Sequence, residues 1–158
     1  MVENKLGSKI EGEEYLVLHE FAKKAKAKLS KETWDYLIGA AETETTFKRN
    51  RFALDSLAFR PRVLRDVENV DISTNLVGHT LRMPVILAPI GSMQDFVEGA
   101  GVAPTIAASE FGILHMISST CMPGLEEVAK SVNYPKLFQL YVRGDQYWVD
   151  DQIKSAIC

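Results

Sequence analysis

No stretch of this sequence approaches the roughly 20 consecutive apolar residues that a membrane-spanning helix needs, so a span is not expected. The opening residues, MVENKLGSKIEGEEYLVLHEF, lack the apolar core of a signal peptide. Cysteine is scarce: Cys121 and Cys158 do not make the disulfide framework of a small secreted domain, and a reducing, cytoplasmic setting is expected. The last residues, IKSAIC, are no peroxisomal address, which bears on location only if Cys158 is the true C-terminus. Basic charge is not in excess either. Eighteen Lys and Arg against 21 Asp and Glu leave a net charge of -3, and without a basic footprint no nucleic-acid partner is expected. What is present is ordinary. A chain that is 46% hydrophobic and 25% charged reads as soluble and globular rather than disordered, and 158 residues suffice for one domain of common size.

The pattern changes character near residue 80. Before it, apolar residues recur at helical spacing. EYLVLHEFAKKAKAKL places Tyr15, Leu18, Phe21 and Ala22 on one stripe. Ser30 is the expected N-cap of a second helix, Lys31 to about Ala40, with Trp34, Leu37 and Ile38 inward. A third helix is expected from about Thr45 to Leu57. Pro61 then forces Arg60 out of helical geometry, so FRPRVLRDV should be extended. DISTNLVGHTLRMP alternates and breaks at Gly78-His79, the pattern of a small hairpin.

After residue 80 strands and helices alternate. PVILAP (Pro84 to Pro89), ILHMIS (Ile113 to Ser118) and KLFQLYV (Lys136 to Val142) read as strands. An alanine-rich helix from about Gly99 to Glu110, then PGLEEVAKS and DQYWVDDQIKSAI, read as the helices that follow them. Three strand–helix units in a row predict parallel strands with helices outside. The expected division is therefore residues 1–80, a helical segment with a hairpin, and residues 81–158, three β/α units.

The polar residues of this second part cluster. Ile90-Gly91-Ser92 follow the first strand, Ser118 and Ser119 end the second, and Gln139 and Tyr141 sit late in the third. Side chains two apart on a strand share a face, so Gln139 and Tyr141 form a polar face opposite Phe138, Leu140 and Val142. All these polar positions lie at carboxyl ends of parallel strands, where α/β proteins place ligands. Each also has an ordinary structural reading. A buried Gln satisfied by backbone, a Ser capping a turn and a turn glycine at Gly91 need no ligand. The signal is the recurrence over three units.

The stretches LAPIGSM, GILHMISS, EEVA and FQLYV, in this order and spacing, resemble the FMN-dependent α-hydroxy-acid oxidases and dehydrogenases, the family of glycolate oxidase, lactate oxidase and mandelate dehydrogenase. The resemblance extends upstream through WDYLIGAAETETTFKRNRFALDSLAFRPRVLRDV and covers about residues 30 to 158. It implies a (β/α)8 TIM barrel with FMN at the carboxyl ends of its strands. Such barrels run to about 250 residues, so the chain looks like the N-terminal part of one: its first three β/α units, preceded by the helical segment and the hairpin. The apolar faces of Val85, Leu87 and Met116 would then meet strands of the remaining barrel. The family's base and its substrate-binding arginines fall later than Cys158. None of His19, His79 and His115 matches the catalytic position, and His115 is expected to pack within its strand.

At matching positions the resemblance implies roles. The backbone of Ile90 and Gly91 approaches the flavin near N5 and O4, and Ser118 and Gln139 meet the pyrimidine edge. Tyr36 and Tyr141 contact a small 2-hydroxy-acid substrate. That edge presents O4, N3–H and O2, and a side-chain amide offers both donor and acceptor. No catalytic residue and no metal site are expected in this chain, and the full-length protein is expected to be a homo-oligomer. Two departures stand out. Ile90-Gly91 replaces the threonine-alanine of some relatives, which should open space beside N5, and Thr120 stands where a large aromatic can follow the paired serines. Both imply a different or roomier pocket. Two alternatives remain: another FMN barrel, such as a type 2 isopentenyl diphosphate isomerase-like enzyme, or a truncated, non-catalytic chain that associates with a partner subunit.

Overall fold

The computed structural model describes residues 15–157. The N-terminal stretch read for a signal peptide, apart from its last residues, and Cys158 lie outside the described residues. Two compact units divide at Phe59 and Arg60.

Among the described residues, the first unit holds three helices: α1 (Leu18–Lys28), α2 (Lys31–Ile38) and α3 (Thr45–Asp55). Ser30 caps α2 as expected, its Oγ accepting from the Thr33 N–H at 3.2 Å. This satisfies one of the donors that a helix N-terminus leaves unpaired. The helix stops at Ile38, two residues short of expectation. The inward stripe is not realised: no residue of α1, α2 or α3 is buried, and Leu37 and Ile38 are about half exposed. Three short helices have too little volume to enclose a core of their own.

The second unit begins in extended chain and forms a hairpin, β1 (Thr74–Leu76) with β2 (His79–Leu81), in antiparallel register Asn75 to Thr80. Its two-residue turn is Val77-Gly78, one place earlier than the sequence suggested. Both residues take positive φ, 51° and 79°, the geometry that matches the twist of paired strands. A parallel sheet follows in the order β3-β4-β5: β3 (Ile86–Leu87), β4 (Leu114–Ser118) and β5 (Leu137–Gln139). Each strand leads into a helix, α4 (Val102–Phe111), α5 (Leu125–Ser131) and α6 (Gln146–Ile157), with a short 3-10 turn at Met93–Asp95 before α4.

The strands are shorter than expected, for two reasons. Pro84 and Pro89 bracket β3 and lack the N–H a ladder needs. Beyond Gln139 the chain leaves the ladder, and the Tyr141 N–H donates to Ser119 Oγ at 3.1 Å. Helix α4 ends where Gly112 takes φ 80°, with the Gly112 and Ile113 N–H groups both bonding the Ala108 carbonyl. This left-handed cap is one that only glycine adopts freely.

The core lies around β4, the central strand, four of whose five residues are buried. Leu114 and Ile117 of β4, Ala108 of α4 and Val128 of α5 are all at most 1% exposed. Register assigns the faces. Leu87 pairs with His115, and His115 bonds Thr105 of α4, so that face looks toward the helices. Leu87 therefore does not share the face of Met116, as the sequence reading had it. Ile86, Leu114, Met116 and Ser118 form the opposite face, joined by Leu137 and Gln139.

Candidate functional site

The carboxyl ends of β3, β4 and β5 are laced together by backbone. The Ser92 N–H donates to the Thr120 carbonyl at 3.2 Å, joining the loop after β3 to the loop after β4. The Ser119 N–H donates to the Gln139 carbonyl at 3.0 Å, joining the ends of β4 and β5. Arg143 reaches back to the Ser119 carbonyl at 3.2 Å, and the Met122 N–H donates to Gln94 Oε1 at 3.1 Å. No sequence signal pointed to Arg143 or Gln94, because both act on backbone across 24 and 28 residues of chain.

Four of the expected residues come together here. Ser118 is the last residue of β4 and Gln139 the last of β5, and they are register partners on one face. Ser118 is 3% exposed. Its Oγ lies 3.0 Å from Thr120 Oγ1 and accepts from the Thr120 N–H at 3.3 Å. The side-chain amide of Gln139 makes no hydrogen bond among the described residues, while its carbonyl is taken by Ser119. Ile90 and Gly91 follow β3, and a Cβ built on Gly91 would stand 3.8 Å from Ser118 Oγ. Tyr141 is half exposed just past the end of β5, so strand alternation does not govern its direction. Tyr36 lies in α2 of the first unit and is largely exposed.

One expectation is corrected. Gly91 stands in the turn after β3, as read, without a positive φ, but its missing methyl leaves no void: a Cβ there would be driven into Thr120 Oγ1. The two departures fill each other rather than adding up to a larger pocket.

The donors and acceptors fit the polar edge of a flavin. A hydroxyl and an unengaged amide sit side by side on one face, next to backbone that carries no side chain at Gly91. An amide can meet an N–H and a carbonyl together, and a hydroxyl can do either.

His115 belongs to another place. It is 3% exposed, on the helix side of β4. The Thr105 hydroxyl donates to the Gly101 carbonyl at 2.8 Å, and its oxygen lies 2.8 Å from His115 Nδ1. A hydroxyl has one proton, so the imidazole must donate from Nδ1. Burial lowers the His115 pKa from its ordinary value. The ring is a neutral, packed core group, as the sequence suggested. Cys121 is also buried, its thiol directed at the Met122 carbonyl at 3.3 Å. Burial pushes that thiol up, away from the reactive thiolate. Among the described residues, no three His, Cys, Asp or Glu gather as a metal site, and no helix is long and apolar enough to cross a membrane.

Comparison with known proteins places this geometry. Glycolate oxidase 3 of Arabidopsis thaliana is 38% identical over 138 residues, which is 87% of this chain and 37% of the relative. Glycolate oxidase of Spinacia oleracea is 36% identical over 140 residues, 88% of this chain and 38% of the relative. Among solved structures, mandelate oxidase with (S)-2-phenylpropionate superposes with a TM-score of 0.85 at 28% identity, covering 91% of this chain and 43% of the other. A soluble mutant of the membrane-associated (S)-mandelate dehydrogenase from Pseudomonas putida gives 0.82 at 27% identity, covering 88% and 40%. The chain thus spans less than half the length of these proteins, and its β/α units are a partial barrel. The sequence pattern of the FMN-dependent dehydrogenases matches residues 25–157, and the chain belongs to that FMN-dependent family.

Proposed function

We propose that the complete protein carrying this segment oxidises a small 2-hydroxy acid to the 2-keto acid with FMN, and that residues 81–158 supply its first three β/α units. The observation that carries the reading is the register pair of Ser118 and Gln139, a buried hydroxyl beside an unengaged amide on one face. Ser118 and Gln139 hold the pyrimidine edge, and the backbone of Ile90 and Gly91 lies along the ring beside them. Bound FMN supplies the acceptor for the two electrons that leave the substrate's α-carbon; the protein supplies binding and orientation. Tyr141 contacts the substrate from the loop after β5, and Tyr36 meets its carboxylate. As the family resemblance implies, the proton acceptor comes from the part of the complete protein outside this chain, and His115 is held by Thr105 on the far side of β4. A cytoplasmic, homo-oligomeric complete protein belongs to the same reading.

The test is anaerobic mixing of the full-length holoprotein with a panel of 2-hydroxy acids. Bleaching of the flavin band by at least one of them is the expected result. Flavin that stays oxidised with every hydroxy acid sinks the reading and favours a flavin barrel without net oxidation, such as an isomerase. A second reading has one observation behind it. Ile90, Tyr141, Val142 and Val85 in the second unit are 46% to 71% exposed, as suits a non-catalytic chain that rests on a partner subunit. Monomeric, protease-resistant behaviour of the 158-residue chain would count against it.

A further inference from the structure

Gly91 is an unusual glycine. Its backbone conformation is open to any residue, so conformational freedom does not explain it. Space does. An ideal Cβ at this position would overlap Thr120 Oγ1, with Thr120 Cβ 3.6 Å away and Ser118 Oγ 3.8 Å away. Thr120 is tied to its surroundings by three contacts. Its carbonyl accepts from the Ser92 N–H at 3.2 Å, its N–H points at Ser118 Oγ at 3.3 Å, and its hydroxyl lies 3.0 Å from that same oxygen. The Thr120 hydroxyl thus occupies the place a side chain at 91 would take, and from there it touches the one buried hydroxyl of the candidate flavin face.

We infer that Thr120 is a positioning residue for Ser118, and that Gly91 is the condition for it. The inference rests on the flavin reading given above. Ser118 Oγ has two lone pairs and one proton. Either hydroxyl can donate in the Ser118–Thr120 pair; in the inferred arrangement the Thr120 O–H donates, so that with the Thr120 N–H on the other lone pair the Ser118 proton is free to be donated outward. The group it suits is a carbonyl oxygen of the flavin's pyrimidine edge, next to the Gln139 amide. Thr120 itself does not touch the cofactor. The role differs from one of pocket size: it requires the hydroxyl, not merely a small side chain.

The experiment uses the full-length protein carrying this segment and measures FMN dissociation constant, flavin absorption maxima and apoprotein melting temperature. Thr120→Val keeps the shape and removes the hydroxyl. It should weaken FMN binding about three- to tenfold, the scale of one neutral hydrogen bond, and shift the flavin bands. Thr120→Ser keeps the hydroxyl and should restore both. Gly91→Ala should lower the apoprotein melting temperature through overpacking, and much less so in a Thr120→Ala background, since the obstructing atom is then gone. That cycle is read without flavin. Additive effects of Gly91→Ala and Thr120→Ala, or an unaltered FMN affinity and spectrum in Thr120→Val, would overturn the inference. Gln139→Leu separates the two levels. If it weakens FMN binding while Thr120→Val does not, only the role of Thr120 fails. If wild type takes up no FMN, the flavin reading and this one fail together.

Discussion

Thr105→Val tests how much of the core depends on one buried polar contact. Thr105 and His115 are 1% and 3% exposed, so water cannot replace what either loses. Valine keeps the β-branched shape and removes the one acceptor, among the described residues, of the His115 Nδ1–H, which now sits 2.8 Å from Thr105 Oγ1. The bond from Thr105 to the Gly101 carbonyl, also 2.8 Å, is lost with it. A buried donor left unpaired costs about 1–3 kcal/mol. The expected result is a lowered melting temperature, by less per kcal/mol the longer the protein. The assay is thermal unfolding of the full-length protein, followed by circular dichroism at pH 8. Replacing both partners, Thr105→Val with His115→Leu, should recover part of the loss, since the orphaned donor disappears with the ring. The same pair carries a pH dependence. Burial holds the folded His115 pKa below its unfolded value of 6.5, so the unfolded state binds the proton more readily. Stability is present above about pH 6.5 and is lost as pH falls through the folded pKa. The double variant should lack this step. A Thr105→Val protein within about 0.5 kcal/mol of wild type, or a double variant whose loss equals the sum of the singles, would refute the reasoning.

Three further outcomes follow from the site and the sheet. Gln139→Leu in the full-length protein should weaken FMN binding by about 1–3 kcal/mol, because polar edge atoms lose their partner, while circular dichroism shows the fold retained; unchanged affinity in a flavin titration would make Gln139 structural only. Tyr141→Phe should leave flavin bound and lower kcat, whereas Tyr36→Phe should mainly raise KM, the pattern of lost uniform binding; steady-state kinetics with the preferred hydroxy acid would contradict both roles if the two variants matched wild type. The 158-residue chain alone should hold no FMN after removal of excess and should self-associate, since β3 and β5 are both edge strands; a stoichiometric flavin band at a monomeric elution volume would show it to be self-sufficient.

Much of this was legible in the sequence. Helix placement followed from periodicity and from Ser30, and the three-strand parallel order followed from the alternation of strands and helices. The alternation within KLFQLYV placed Gln139 on a polar face, and the structure puts Ser118 beside it. Strand lengths were not legible, because a strand ends where its ladder ends. That depends on a partner's hydroxyl, as Ser119 does to Tyr141, and not on the strand's own residues. The assignment of Leu87 to the barrel side failed for a related reason: register between strands decides the face, and no single strand carries it. The largest miss was Gly91 with Thr120. Each was read as an opening because each is smaller than what relatives can carry. Only coordinates reveal that the two residues, 29 apart in the chain, compete for one volume.

The lacing of the three strand ends bears on how such a protein could be recombined. Ser92 is tied to Thr120, Ser119 to Gln139, and Tyr141 back to Ser119. The segments after β3, β4 and β5 are therefore not independent modules. A homologous loop spliced in after β4 alone would set a different residue at 120 against Gly91 and, without a serine at 119, would leave the Tyr141 N–H without that acceptor. Crossover points for chimeras belong before Ile90 and after Arg143, not in α4 or α5, where a crossover would part loops that bond each other. The unit of inheritance at this end of the sheet is the set from Ile90 to Arg143, exchanged whole.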